Sequence, residues 1–295
     1  MKNIEETVLG ADVGGSHITA AIVDTVGRSV VPHSLVRRRI DAHASASVIM
    51  DAWVAALNAA EEAWGSKCTY LAVSMPGPFD YERGISLIKG MNKYEALYGI
   101  DIRQVFAERM KLPVNCVRFV NDAEAFLRGE VLAGPGSDVN RVFGVTLGTG
   151  LGSALFEEGR VKDLNLGSSP FLGGIAEDYI STRGILAFYR SLGGGEIQDV
   201  KTLVERVDED SKAQKAINQL ALWLADFLLI HLPVLRPDLV IIGGNISKAY
   251  HLFLPKVSRI LHERNISTPI KVAEVGEQAA ILGAASFVNY IKNAL

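Results

Sequence analysis

A short apolar run that ends in a glycine-rich turn and reverses into a second apolar run occurs twice in this chain. The two copies match at an offset of 134, pairing Gly10 with Gly144, Gly14 with Gly148, Ala20 with Ala154 and Ile22 with Phe156. The first copy runs Thr7 to Val13, Gly14-Gly15, then His17 to Asp24. The second runs Arg141 to Leu147, Gly148-Thr149-Gly150-Leu151-Gly152, then Ser153 to Phe156. A duplicated fold is the economical explanation, with chance likeness of two glycine-rich hairpins as its competitor. A chain of 295 residues can hold two domains, each burying its own core.

What surrounds each hairpin reads as α/β. A turn at Val26-Gly27 leads to a third strand over Ser29 to Val36, and apolar residues at helical spacing predict a helix over Ala46 to Trp64. Tyr70 to Ser74 reads as a strand ending at Pro76-Gly77-Pro78, and Val114 to Val120 as an apolar run before a helical Glu124 to Val131. Later, Ile217 to Leu232 reads as a helix, Leu239 to Ile242 as a strand ending at Gly243-Gly244, and Gln278 to Ile291 as a closing helix.

Composition narrows the partners. With 48% hydrophobic and 21% charged residues the chain is globular, and a net charge of −3 gives no general attraction for nucleic acid. The basic run Arg37-Arg38-Arg39 reads as a solvated surface patch. Cys68 and Cys116 have no CxxC partner, so no disulfide framework or cysteine zinc site is expected, which suits a reducing cytoplasm. The acidic start MKNIEETVLG is unlike a secretion signal, and Leu220 to Leu235, interrupted by Asp226, His231 and Pro233, reads as a buried amphipathic helix too short to span a membrane. The six histidines show no metal-binding spacing.

A glycine-rich turn after a strand can aim several backbone N–H groups at a phosphate, and two such turns can hold one triphosphate from both sides. Neither GxxxxGK[ST] nor GxGxxG is present, and Gly148 to Gly152 leads into a strand, which sets aside the Walker and Rossmann alternatives. Taken alone, Gly14-Gly15 could be a plain hairpin turn. Asp12 beside it could hold water on a magnesium ion, or be a solvated turn residue. Asp122, between an apolar run and a helix, could cap that helix and also act as a base toward an attacking hydroxyl.

Together the segments Asp12-Val13-Gly14-Gly15-Ser16, Pro76-Gly77-Pro78, Asn121-Asp122-Ala123-Glu124-Ala125 with Gly129-Glu130, Thr146 to Gly152 and Ile241-Ile242-Gly243-Gly244-Asn245 resemble, in type and order, the ROK family of sugar kinases and sugar-responsive repressors. The likeness runs from about residue 7 to Gly283-Ala284-Ala285. It implies an actin-like, hexokinase-like duplication of RNase H-like domains with a cleft between them, divided as 1–120 with 279–295, and 121–278. It further implies ATP and Mg2+ as cofactors, a sugar acceptor, a cytoplasmic enzyme with neither nucleic acid nor membrane as partner, and a homodimer.

By the same resemblance Asp122 looks like the catalytic base, and Gly77, Asn92, Asn121 and Glu177 look like sugar contacts. Gly14, Gly15 and Ser16 with Gly148, Thr149 and Gly150 look like phosphate loops, Gly243 and Gly244 would lie beside the adenosine, and Asp12 would hold magnesium through water. The family's sugar-binding Glu and zinc-ligand His correspond to Asn165 and Ser168 here, and Ser169 to Gly174 is short and cysteine-free, so a structural zinc is not expected. Glu124 and His17 also depart from the usual residues. The competing functional class is a sugar-sensing protein without catalysis.

Overall fold

β-branched residues favour extended backbone, and small ones between them let a strand be covered closely on both faces. They form the hairpin β1 (Thr7–Val13) and β2 (His17–Asp24) in a computed structural model that describes residues 6–91 and 93–292. The third strand expected over Ser29 to Val36 is broken into β3 (Ser29–Val30) and β4 (Val36–Arg39), both paired with β2. Pro32 has no N–H to give a ladder, and a 3-10 turn at Pro32–Ser34 replaces it. Ser34 Oγ then accepts the Ile22 N–H at 2.8 Å, so the interruption leaves that donor satisfied.

Helix α1 (Ala46–Trp64) buries Ile49, Met50, Trp53, Ala56, Leu57 and Ala60, a 3.6-residue stripe, and stops at Gly65 in the left-handed region. Next come β5 (Leu71–Met75), the small hairpin β6 (Phe79–Asp80) and β7 (Ile85–Ser86), α2 (Ile102–Met110), β8 (Val117–Asn121) and α3 (Asp122–Ala133). The first sheet has the order β3-β2-β1-β5-β8, with β4 also on β2; β1, β5 and β8 are parallel and β2 is antiparallel to β1.

The second unit repeats this plan. Its strands are β9 (Arg141–Leu147), β10 (Leu151–Glu157) and β11 (Arg160–Asp163), followed by the small hairpin β12 (Pro170–Phe171) and β13 (Gly174–Ile175). Helices α4 (Ala176–Tyr179), α5 (Thr182–Ser191), α6 (Val200–Glu205) and α7 (Ser211–Leu235) precede β14 (Leu239–Gly243), α8 (Tyr250–Glu263) and β15 (Ile270–Val272). The order β11-β10-β9-β14-β15 reproduces that of the first sheet strand for strand. This is the duplicated actin-like, hexokinase-like α/β fold. Val13 pairs with Ile18 across the first turn and Leu147 with Leu151 across the second, so the second turn is tighter.

Each unit has its own apolar core, around Trp53, Phe106 and Leu57 in the first and around Phe143, Phe227 and Phe253 in the second. Helix α7 is longer than the expected Ile217 to Leu232, because Asp210 caps it by accepting the Lys212 N–H. At 25 residues it is long and apolar enough to cross a membrane, which corrects the expectation that it is too short. Ile217, Leu220, Leu224, Phe227 and Leu228 are nevertheless buried in the second core.

The last helix, α9 (Ala279–Lys292), belongs to the first unit, which takes the residues up to Ala133 and those from Glu277 onward. The sequence division after residue 120 falls ahead of α3, which stays with the first unit because it packs on α9. The two helices meet backbone to backbone. A Cβ on Gly283 would lie 1.8 Å from the Ala125 carbonyl oxygen, and one on Gly129 would lie 2.0 Å from that of Ala279. Gly129→Ala and Gly283→Ala should therefore each cost about 3 kcal/mol or more in urea unfolding, because backbone has to move. A cost below about 1 kcal/mol in either would show that the helices are not pinned at this crossing.

Candidate functional site

In the first hairpin turn the Gly14 N–H donates to the His17 carbonyl at 2.8 Å, closing the loop. The Gly14 carbonyl accepts from the Tyr94 hydroxyl at 2.5 Å. The N–H groups of Gly15 and Ser16 have no backbone or side-chain partner among the described residues, and both residues are exposed. A Cβ on Gly15 would meet nothing within 4 Å, and its backbone is outside the left-handed region. The fold therefore does not explain why this residue is glycine, and the open backbone leaves room for close approach by a ligand.

A row of polar residues crosses the same sheet. Ser74, Asp12, Thr19 and Arg37 lie opposite one another on β5, β1, β2 and β4. The Ser74 hydroxyl donates to Asp12 Oδ1 at 2.7 Å. Burial above all, then the nearby charges of Asp122 and Glu277, pushes the Asp12 carboxyl up to about 6, against the opposing pull of Ser74 and Arg37. Arg37 is exposed, as expected of its cluster, yet it pairs with Glu277 at 2.6 Å and stands in this row. Arg39 lies opposite His17, whose pKa is lowered by partial burial and by Arg37 and Arg39. Among the described residues no group of three or more acidic, His or Cys side chains could cage a metal. A single carboxylate short of positive charge, beside an open backbone turn, fits a hard cation that keeps most of its water shell.

At the junction of β8 and α3 the capping role that sequence offered to Asp122 falls to its neighbour. Asn121 is the residue that caps α3, its Oδ1 accepting the N–H groups of Ala123 at 2.8 Å and Glu124 at 3.2 Å. Asn121 Nδ2 donates to the Tyr81 hydroxyl at 3.2 Å, which in turn donates to the Met75 carbonyl at 3.0 Å. Asp122 is the exposed first residue of α3, its Oδ1 taking a second contact from the Ala123 N–H at 2.9 Å. Gly77 packs against the same Tyr81 hydroxyl, at 3.3 Å from where its Cβ would be. Asn92 lies outside the described residues.

In the second unit the Gly148 N–H donates to the Gly150 carbonyl at 3.0 Å, and the Gly148 carbonyl accepts both the N–H (2.8 Å) and the hydroxyl (2.9 Å) of Thr182. A Cβ on Gly148 would also meet nothing within 4 Å, and the N–H groups of Thr149 and Gly150 have no partner among the described residues. Glu177 Oε2 accepts the Leu151 N–H at 3.0 Å and leaves no room for a Cβ on Gly150, so Glu177 braces this turn. Gly244 is different: its φ of +85° and the Leu147 carbonyl, 2.3 Å from where a Cβ would be, require glycine for the fold alone. Gly243 ends β14 just before it. Asn165, exposed at φ 47°, accepts from the Ser168 hydroxyl at 3.1 Å, so the two residues standing in for Glu and His bond to each other. In place of a knuckle, β12 and β13 are tied to α4 by Asp178, accepting the Ile175 N–H at 3.1 Å, and by the Tyr179 hydroxyl, accepting the Gly173 N–H at 3.1 Å.

Sequence reading missed Tyr94 and Thr182, which reach the turns from distant segments. No local pattern marks either one.

Known proteins resemble this chain in sequence and in fold. The sequence profile described as "ROK family" matches residues 8–175 and 166–291. A glucokinase of Thermotoga maritima is 25% identical over 320 residues, spanning 95% of this chain and 96% of its own. An N-acetyl-D-glucosamine kinase of Salmonella paratyphi B is 26% identical, spanning 81% of this chain and 84% of its own. A ROK family glucokinase of Streptomyces griseus, solved with glucose and AMPPNP, superposes with a TM-score of 0.78 at 22% identity, covering 95% of this chain and 98% of its own.

The raised pKa of Asp12 carries a testable cost. Between about pH 4 and 6 the folded protein holds a proton there that the unfolded chain has released, so the ionised form opposes folding above pH 6. The size is about 3 kcal/mol, at roughly 1.4 kcal/mol per pKa unit. In metal-free buffer Asp12→Asn should gain about 1–3 kcal/mol at pH 8 in urea unfolding and nothing at pH 4. Equal or lower stability at pH 8 would remove the claim that this carboxylate sits in an unfavourable field.

Proposed function

The chain belongs to the ROK family, and on that premise we propose that it is an ATP-dependent sugar kinase acting on a hexose or an amino sugar. The observation that carries this reading is an open glycine in each hairpin turn, Gly15 in the first and Gly148 in the second. Each lies at or next to an unpartnered N–H group, and neither needs to be glycine for the fold. Gly14, Gly15 and Ser16 in one unit and Gly148, Thr149 and Gly150 in the other would bind the donor's phosphates through backbone N–H groups, with Gly243 and Gly244 beside the adenosine. Asp12 would hold a hydrated Mg2+, whose charge when bound neutralises the phosphate oxygens.

Asp122 accepts the proton of the acceptor hydroxyl as that oxygen attacks. Its place at the first residue of α3 suits this, because Asn121 does the capping and fixes the helix end. The second amide hydrogen of Asn121 can donate to a neighbouring sugar hydroxyl while Tyr81 holds the first. Gly77, Asn92, Glu177 and Asn165 are the further candidate sugar contacts. For Glu177 the contact would fall to Oε1, since Oε2 serves the turn. Asn165 in place of a carboxylate changes which hydroxyl pattern the pocket satisfies, and sugar selection is where its effect belongs.

The reading is tested by ADP release from MgATP across glucose, mannose, fructose, allose, N-acetylglucosamine and N-acetylmannosamine. Asp122→Asn should lose about 10²- to 10⁴-fold in kcat while sugar and nucleotide still bind. Undiminished turnover in that variant would remove Asp122 from the chemistry. Gly15→Ala should fold as stably as the parent, within about 1 kcal/mol, yet raise the KM for ATP. Sugar binding with no turnover on any acceptor would favour a non-catalytic sensor.

A further inference from the structure

The two turns share a feature beyond their glycines. In each, the carbonyl of the equivalent glycine, Gly14 or Gly148, is held by a side-chain hydroxyl from a segment far along the chain. A trans peptide is planar, so its C=O and the following N–H point in opposite directions. Holding the Gly14 carbonyl toward Tyr94 turns the Gly15 N–H away, and holding the Gly148 carbonyl toward Thr182 does the same for the Thr149 N–H. Those two N–H groups are among the donors without a partner. We propose that Tyr94 and Thr182 are paired positioning residues that fix the peptide planes of the two phosphate turns and so aim the Gly15 and Thr149 N–H groups at the donor's phosphates. The inference rests on the kinase reading of those turns.

The surroundings of Tyr94 suit the role. It is fully buried, its ring 5.5 Å from that of Trp53, and its own N–H donates to the Ala42 carbonyl at 2.8 Å. Its φ of 55° is left-handed, a strained choice for a bulky aromatic residue and one the fold keeps only under strong packing. From that position the hydroxyl reaches Gly14, and the ring stays locked against Trp53. Thr182 opens α5, with Ser181 as its N-cap, so its hydroxyl and N–H are set by a helix end. Neither side chain need touch the nucleotide.

The test is calorimetric titration of the parent, Tyr94→Phe and Thr182→Val with MgATP and, separately, with adenosine, beside thermal unfolding of each. Tyr94→Phe keeps the ring and loses only the hydroxyl, and should weaken MgATP about tenfold, the worth of one hydrogen bond. Thr182→Val should weaken it by less, about threefold, because the Thr182 N–H still holds Gly148. Adenosine, which has no phosphate, should bind all three proteins alike. Unchanged MgATP affinity in Tyr94→Phe, or an equal loss for adenosine, overturns the inference and leaves the kinase reading standing. Should Tyr94→Phe not fold, Thr182→Val decides by the same criteria. If the parent binds no MgATP, the kinase reading itself fails and the inference with it.

Discussion

Two helices that touch through their backbones set the frame of the first unit. At Gly129 and Gly283 no side chain separates α3 from α9, and Gly10 lets Ile281 of α9 settle on β1, where a Cβ would come within 2.7 Å of it. The final helix is thus held between the sheet and α3. Asp122 leads α3 and Glu277 lies two residues ahead of α9, so the same contact fixes both groups around Asp12. The chemistry proposed for Asp122 depends on a helix whose position is decided by the absence of side chains some seven residues further on, two turns along α3.

The duplicated hairpins, one in each unit, carry the proposed phosphate-binding groups. What distinguishes their open glycines is the contrast with Gly244, which follows β14. Gly244 is glycine because a backbone lies against it, whereas Gly15 and Gly148 face open space. The second turn is tighter in register and is braced by Glu177, and the first is left with an exposed serine and a row of polar side chains across β1, β2 and β4. Duplication has kept the donors and let the supports diverge, a hydroxyl from a buried tyrosine in one unit and from a helix-opening threonine in the other.

The hairpins, α1 and the closing helix were legible in the sequence, because alternation and 3.6-residue spacing are local signals. The break between β3 and β4 was not, since it depends on Ser34 reaching back to Ile22. Asn121 and Asp122 are adjacent good caps, and only three-dimensional geometry decides between them. The length of α7 was underestimated because its polar first turn carries no apolar stripe, while Asp210 supplies the start. The Arg37 to Arg39 run looked like surface and is exposed, but the register of β4 is what puts Arg37 in line with Asp12. Tyr94 and Thr182 act across long sequence separations, which no local pattern records.

Phosphorus NMR of the protein with MgATP and a mixture of hexoses and N-acetylhexosamines observes directly the proposed transfer of a phosphoryl group from ATP to a sugar hydroxyl. A sugar kinase gives a new phosphomonoester resonance that grows in step with ADP and depends on added sugar. Growth of inorganic phosphate alone, indifferent to sugar, would contradict it and make the protein a nucleotide hydrolase.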